Sequence, residues 1–370
     1  VSTSADSSGL DIDADSTVTS LSVANITPVA IVSGSSLSGG ITLTAGSIKL
    51  TEAGTLASSI SMSGGVLDAD ESSTVSGALT HTDDITIDVL ADKTLTYSGT
   101  AISLGANTLT LSGGGSLVSG GLTLNDADSK LLLNSITVDS VSTSADSLGL
   151  DVDADSTVTS LSVANITPVA IASDKTLSGA ITVSAGSLKL DETGTLASSV
   201  SMSRATFLDA DESMTISGSL TQSGSFNTDQ GWTIDVAAGK TLTYTGAAIG
   251  IEGHKLILTS SSSDGGATFN NTNPLLLNNV NSYLRFDAEM TVGSVSVNVA
   301  GNSGRGLKIK ESSTISALTV AADTELSIDS GKSLSGSITV TAGSLKLNKT
   351  GTLASSISMS GGVLDAEKSL

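Results

Sequence analysis

The chain has 370 residues, with 16 Lys and Arg against 37 Asp and Glu, a formal charge of −21 and no cysteine. Such a charge repels phosphate backbones and argues against nucleic acid as a partner, and disulfides contribute nothing to stability. No apolar run is long enough to span a bilayer, and with aromatics at 2% the interior must be built from Leu, Ile, Val and Ala.

In chain order, the first feature is a copy. Val1–Gly77 recurs almost letter for letter from Val141, and Gly9–Ser73 recurs again as Gly306–Leu370. Long repeats therefore run over 1–140, 141–297 and 298–370, the third incomplete, and read as one continuous body. The expectation is of a section from a longer array, since both Val1 and Leu370 fall inside a repeat.

A finer period lies inside each copy. Leu37, Leu56 and Val75 are 19 residues apart, as are Ile41, Ile60 and Leu79, and Ile48 and Leu67. The step loosens to 20 between Val75 and Leu95 and to 22 between Leu95 and Leu117. Within a unit, apolar residues alternate, as in Ile41-Thr42-Leu43 and Ile48-Lys49-Leu50, which predicts strands with one buried face. Each unit offers about three short strands joined by Gly, Ser, Asp and Asn turns. A single short strand cannot bury its face alone, so the units must stack.

These observations predict an all-β chain folded as a right-handed parallel β-helix, or β-solenoid, of about 19–22 residues per coil. About 18 such coils would extend roughly 85–90 Å. Leu37, Leu56, Val75 and Leu95 are expected in inner columns, and Thr42, Ser61 and Thr80 outside. Corners are marked by Asp92-Lys93-Thr94-Leu95, Asp174-Lys175-Thr176-Leu177, Gly239-Lys240-Thr241-Leu242 and Gly331-Lys332-Ser333-Leu334.

The run Ser335–Leu347 (SGSITVTAGSLKL), followed by Gly351-Thr352-Leu353, resembles the repeats of secreted bacterial β-helix proteins. It is similar to filamentous-haemagglutinin-type exoproteins and to the β-strand repeats of autotransporter passengers. The resemblance implies a parallel β-helix on or outside a bacterial cell. It carries no functional residues across, because the matching positions are turn and core positions.

Two groups of residues carry candidate chemistry. Asp11, Asp13 and Asp15 recur as Asp151, Asp153 and Asp155, and Asp68-Ala69-Asp70-Glu71 recurs as Asp209-Ala210-Asp211-Glu212. Alternation puts these carboxylates on one strand face, where they would either bind Ca²⁺ weakly or keep strand edges from sticking. Lys308-Ile309-Lys310 replaces the first two carboxylates in the third copy, which weakens the Ca²⁺ reading. No other cofactor is expected.

The second group lies in the middle copy, which gains residues around Gly224–Gly231 and is irregular over Ser260–Asn281. Phe226, Trp232, Tyr244, Phe269, Tyr283 and Phe286 fall in this stretch. If exposed, Phe226, Trp232, Phe269, Tyr283 and Phe286 would suit sugar-ring stacking beside Asn and Asp. If packed, they would cover a local bulge. Tyr244 matches Tyr97 of the first copy and is expected to be structural. The Asn-rich stretch Asn270–Asn281 would form side-chain ladders between coils.

Catalytic patterns are lacking. His81 and His254 are not in matching coils, and no nucleophile–base or metal-ligand spacing stands out. Outward pairs such as Thr42/Thr44 and Thr339/Thr341 resemble ice-binding arrays, but Ser61/Ser63 interrupts them. The expectation is therefore a non-enzymatic, extracellular or cell-surface bacterial protein, a stalk or filament segment. Self-association end to end is its expected contact. The alternative is an adhesin that binds surface glycans through the irregular middle repeat.

Overall fold

The computed structural model describes residues 1–3, 6–223, 231–261, 266–348 and 350–366. Among them every secondary element is a β-strand, and every strand ladder between successive coils is parallel. The architecture is a parallel β-helix. The chain divides into two compact units, Val1–Ala180 and Ile181–Leu370, a division that matches neither long-repeat boundary.

In the first unit each coil supplies two successive strand segments to one sheet and one segment to a second sheet. Thr55–Leu56 and Ser59–Met62 join the first sheet, and Val66–Ala69 joins the second. Ile41 stacks on Ile60 and Ile60 on Leu79, all at most 4% exposed. Thr42, Ser61 and Thr80 stack outside, as the alternation predicts. Leu37 stacks on Leu56, and Leu56 on Val75.

The expected step from Val75 to Leu95 is not taken. Val75 pairs with Tyr97, and Leu95 pairs with the buried Ser73. The coil length there shifts by two residues, and a shift of two keeps the inward face inward. Tyr97 thereby enters the interior, where its hydroxyl accepts a hydrogen bond from Leu79 N at 3.0 Å. That bond satisfies a backbone donor that the short strands leave over.

The second unit, Ile181–Leu370, is built on the same plan with more variable coils. Leu188 stacks on Leu208, Leu208 on Ile234, Ile234 on Leu258 and Leu258 on Phe286. Tyr244 repeats the role of Tyr97: its hydroxyl accepts from Leu220 N at 3.1 Å and donates to Ala247 O at 2.6 Å. Tyr244 is thus structural, as its alignment with Tyr97 predicts.

The corner sequences share one geometry. Asp92 and Asp174 in the first unit, and Gly239 and Gly331 in the second, all take φ between 61° and 73°. The lysine that follows reaches back one coil to a glutamate: Lys93 to Glu71 at 2.6 Å, Lys240 to Glu212 at 2.5 Å, and Lys332 to Glu311. The next residue's amide bonds a serine of that same earlier coil, as Thr94 N does Ser72 Oγ at 3.1 Å and Thr241 N does Ser213 Oγ at 3.0 Å.

Inside the eight-residue strands a second conformational demand appears. Gly39 and Gly336 lie where the register shifts, with φ of 118° and 117°. A β-carbon at either would sit 1.7–1.8 Å from a carbonyl oxygen of the preceding coil. Gly336→Ala is expected to lower stability by at least about 1–2 kcal/mol through the left-handed backbone alone, read as a lower denaturant midpoint by circular dichroism.

Candidate functional site

The aspartates proposed as Ca²⁺ ligands do not converge. On the strand Leu10–Ile12, Asp11 is exposed while Ile12 is buried, and Asp13 and Asp15 follow in the turn. Asp15 accepts hydrogen bonds from Ser36 N and Ser36 Oγ, both at 2.9 Å, so it fastens a corner of the next coil. Asp155 does the same for Thr176 N at 2.9 Å. Asp151 pairs with Lys130 on the strand below, and Asp153 is exposed. No group of three metal-ligating side chains forms among the described residues.

The aromatic surface expected in the middle copy is corrected at three positions. Trp232, Phe269 and Phe286 are fully buried, so none of them offers a ring face to a sugar. The registers explain why. Ile87 stacks on Leu111 and Leu111 on Leu133, whereas Ile234 stacks on Leu258 and Leu258 on Phe286. Phe286 therefore occupies the column position of Leu133. By the same comparison Phe269 takes the place of Leu117 and Trp232 that of Ile85. The middle copy has enlarged its core, and its longer coils enclose the added volume. Tyr283 alone of the described four faces outward, half-buried, with the Arg305 guanidinium 5.9 Å from its ring centre. Phe226 lies outside the described residues.

The asparagines are likewise local. Asn271 is buried and bonds Asn273 O, Ser294 O, Gly293 N and Ser294 N at 2.7–3.2 Å, which spends its amide within one bend. His81 bridges Asp83 O and Ser103 O at 3.2 and 3.0 Å, a turn role.

What the second sheet does assemble is a charged column on its outer face. In the first unit Lys49, Asp68 and Asp88 stack in register on three successive coils. Lys49 bonds Asp68 at 3.1 Å and Asp70 at 2.8 Å. In the second unit Lys189, Asp209 and Asp235 stack in the same order. There Lys189 turns to Asp211 at 2.6 Å and Asp191 at 3.0 Å, leaving Asp209 Oδ1 and Asp235 Oδ1 buried without hydrogen bonds. Burial, and then the neighbouring Asp211 and Asp235, push the Asp209 carboxyl up to about 6. Burial also raises Asp235 and Asp68. Asp209 belonged to an acidic string visible in the sequence, but Asp235 did not. Only the 26-residue step that sets Asp209 on Asp235 reveals the pair.

A cavity of about 270 Å³ lies in the same unit, lined by Leu220, Thr221, Gln222, Ala248, Gly250, Glu252 and His254. Gln222 Nε2 and Oε1 are buried there without hydrogen-bond partners. Burial lowers the pKa of His254, so it favours the neutral imidazole. No helix among the described residues is long and apolar enough to cross a membrane. Comparison with protein-family models, with curated proteins and with solved structures finds no match to this chain.

Two outcomes follow. The folded chain binds the Asp209 proton more tightly than the unfolded chain, whose carboxyl titrates near 3.8. Stability from this group therefore falls as pH rises from about 4 to about 6 and stays low above. Asp209→Asn is expected to raise the unfolding midpoint at pH 7.5 and to flatten that slope, measured by denaturation across pH. Trp232→Ala is expected to cost about 3–5 kcal/mol, as a core cavity does.

Proposed function

We propose that the chain is a non-enzymatic structural segment, a stalk or filament element, of a secreted or cell-surface bacterial protein of the β-helix kind. The observation that supports this is the in-register stacking of copied coils, whose conserved geometry is spent on corners and core. The corner lysine–glutamate pairs, the bends at Gly39 and Gly336 and the interior tyrosines all serve stacking. Repeated coils supply length at low sequence cost, since each new coil brings the template for the next. The acidic surface keeps such a body soluble and apart from other polyanions. No cofactor enters this reading.

One observation favours a second reading, an adhesin. The cavity beside Gln222, Glu252 and His254 offers unspent polar atoms to a small polar ligand such as a sugar. Carbohydrate binding there is expected to be abolished by Glu252→Ala, scored on a glycan array.

The structural reading is tested on intact source cells. Antibody-gold labelling and external protease are expected to reach the protein, with negative-stain images showing extended bodies. A protein that is protected until the cells are lysed would overturn it.

A further inference from the structure

We propose that the last coil of one copy is a docking surface for the first coil of a second copy of this chain. The inference rests on the structural reading above and names its partner and register.

The 16 residues Gly54–Ala69 and Gly351–Ala366 are identical. In the first, Leu56, Ile60, Met62 and Leu67 are at most 1% exposed. In the second, Met359 is 47% exposed, Val363 57% and Leu364 38%, and the strand Val363–Ala366 is open along its whole length. The sequence is the same, so the difference is the coil that covers it.

The covered copy shows what fits. Leu79, Thr80 and His81 stack on Ile60, Ser61 and Met62. Thr86, Ile87, Asp88 and Val89 stack on Val66, Leu67, Asp68 and Ala69. The first coil of the chain carries the same pattern, Val1-Ser2-Thr3 followed by Gly9-Leu10-Asp11-Ile12. Its near-identical copy also shows the surface it prefers. Val141, Ser142 and Thr143 stack on Leu122, Thr123 and Leu124, and Leu150, Asp151 and Val152 on Leu131, Leu132 and Leu133. The last coil presents Ile357, Ser358 and Met359, then Leu364, Asp365 and Ala366, in those columns. Val1 is 70% exposed and free to meet it. The junction therefore sets Ser2 on Ser358, Leu10 on Leu364 and Asp11 on Asp365, matching two of the three strands of each coil.

The charges agree with this register. Lys346 stacks on Asp365, with Glu325 on the coil beyond. Adding Asp11 from a second copy would give Lys346–Asp365–Asp11, the order already found in Lys49–Asp68–Asp88 and Lys189–Asp209–Asp235. On its far side Asp11 meets only Ala30, and Asp13 follows it in the turn. Two facing carboxylates repel when both are ionised, so acid tightens the junction. The contact joins unlike surfaces and so generates a ring or an open chain of copies.

Sedimentation velocity of the 370-residue chain over a concentration series tests this. The expected result is concentration-dependent association, several-fold tighter at pH 5.5 than at pH 7.5. Leu364→Lys, at a position already exposed, is expected to weaken it about tenfold or more, while Ser162→Lys on an exposed lateral strand leaves it unchanged. Asp11→Asn is expected to tighten it at pH 7.5 and to remove the pH dependence. Because the chain lacks cysteine, mixing Ser2→Cys and Ser358→Cys variants is expected to give a disulfide between the two chains. A single species at every concentration, indifference to Leu364→Lys, or no mixed disulfide overturns the junction. Association in this register by a protein shielded inside cells would overturn the surface reading alone.

Discussion

No strand in this chain can bury its apolar face without the coil beside it. Parallel stacking in strict register is therefore the constraint on which everything else rests. Leu67 is covered because Ile48 lies on one side and Ile87 on the other. The constraint acts on parity rather than on length. A coil can gain or lose residues, provided that inward residues stay inward. Tyr97 shows the rule at work, entering the column above Val75 because the coil shifted by two. Its hydroxyl then had to find Leu79 N, since a buried donor or acceptor left alone is costly.

The same constraint sorts the residues that are free to vary. Corners fix backbone sign, which is why Asp92, Asp174, Gly239 and Gly331 are interchangeable there. Outer positions of the second sheet carry the charge, and its stacking places like charges one coil apart. Asp209 and Asp235 illustrate the cost, each with an oxygen buried and unbonded. Exposed pairs such as Lys93 with Glu71 contribute little apiece, but they recur at each equivalent corner and tie each coil to the one before it.

Much of this was legible in the sequence. The spacing of Leu37, Leu56 and Val75 fixes the coil, and the alternation around Thr42 fixes which face is outside. The match between Tyr244 and Tyr97 identifies a structural tyrosine. Where the reading failed, it had judged residue type without register. Trp232, Phe269 and Phe286 look like a binding surface when listed together, and become core only when each is set against Ile85, Leu117 and Leu133. Asp15 and Asp155 look like metal ligands until their partners on the next coil are known. The Asp209–Asp235 pair depends on a 26-residue step that the 19-residue period hides.

The unequal coils have one more consequence. A body assembled from identical coils carries no address: any coil could begin its folding against any other, and a segment of one copy could be exchanged for the same segment of a neighbour. Near-identical stretches such as Gly54–Ala69 and Gly351–Ala366 are open to that error. The long steps of the second unit, such as Leu258 to Phe286, break the monotony. A coil of 28 residues with a phenylalanine inside accepts only neighbours that close around it. Irregularity in this chain thus works as punctuation, marking where along a repetitive text each line belongs.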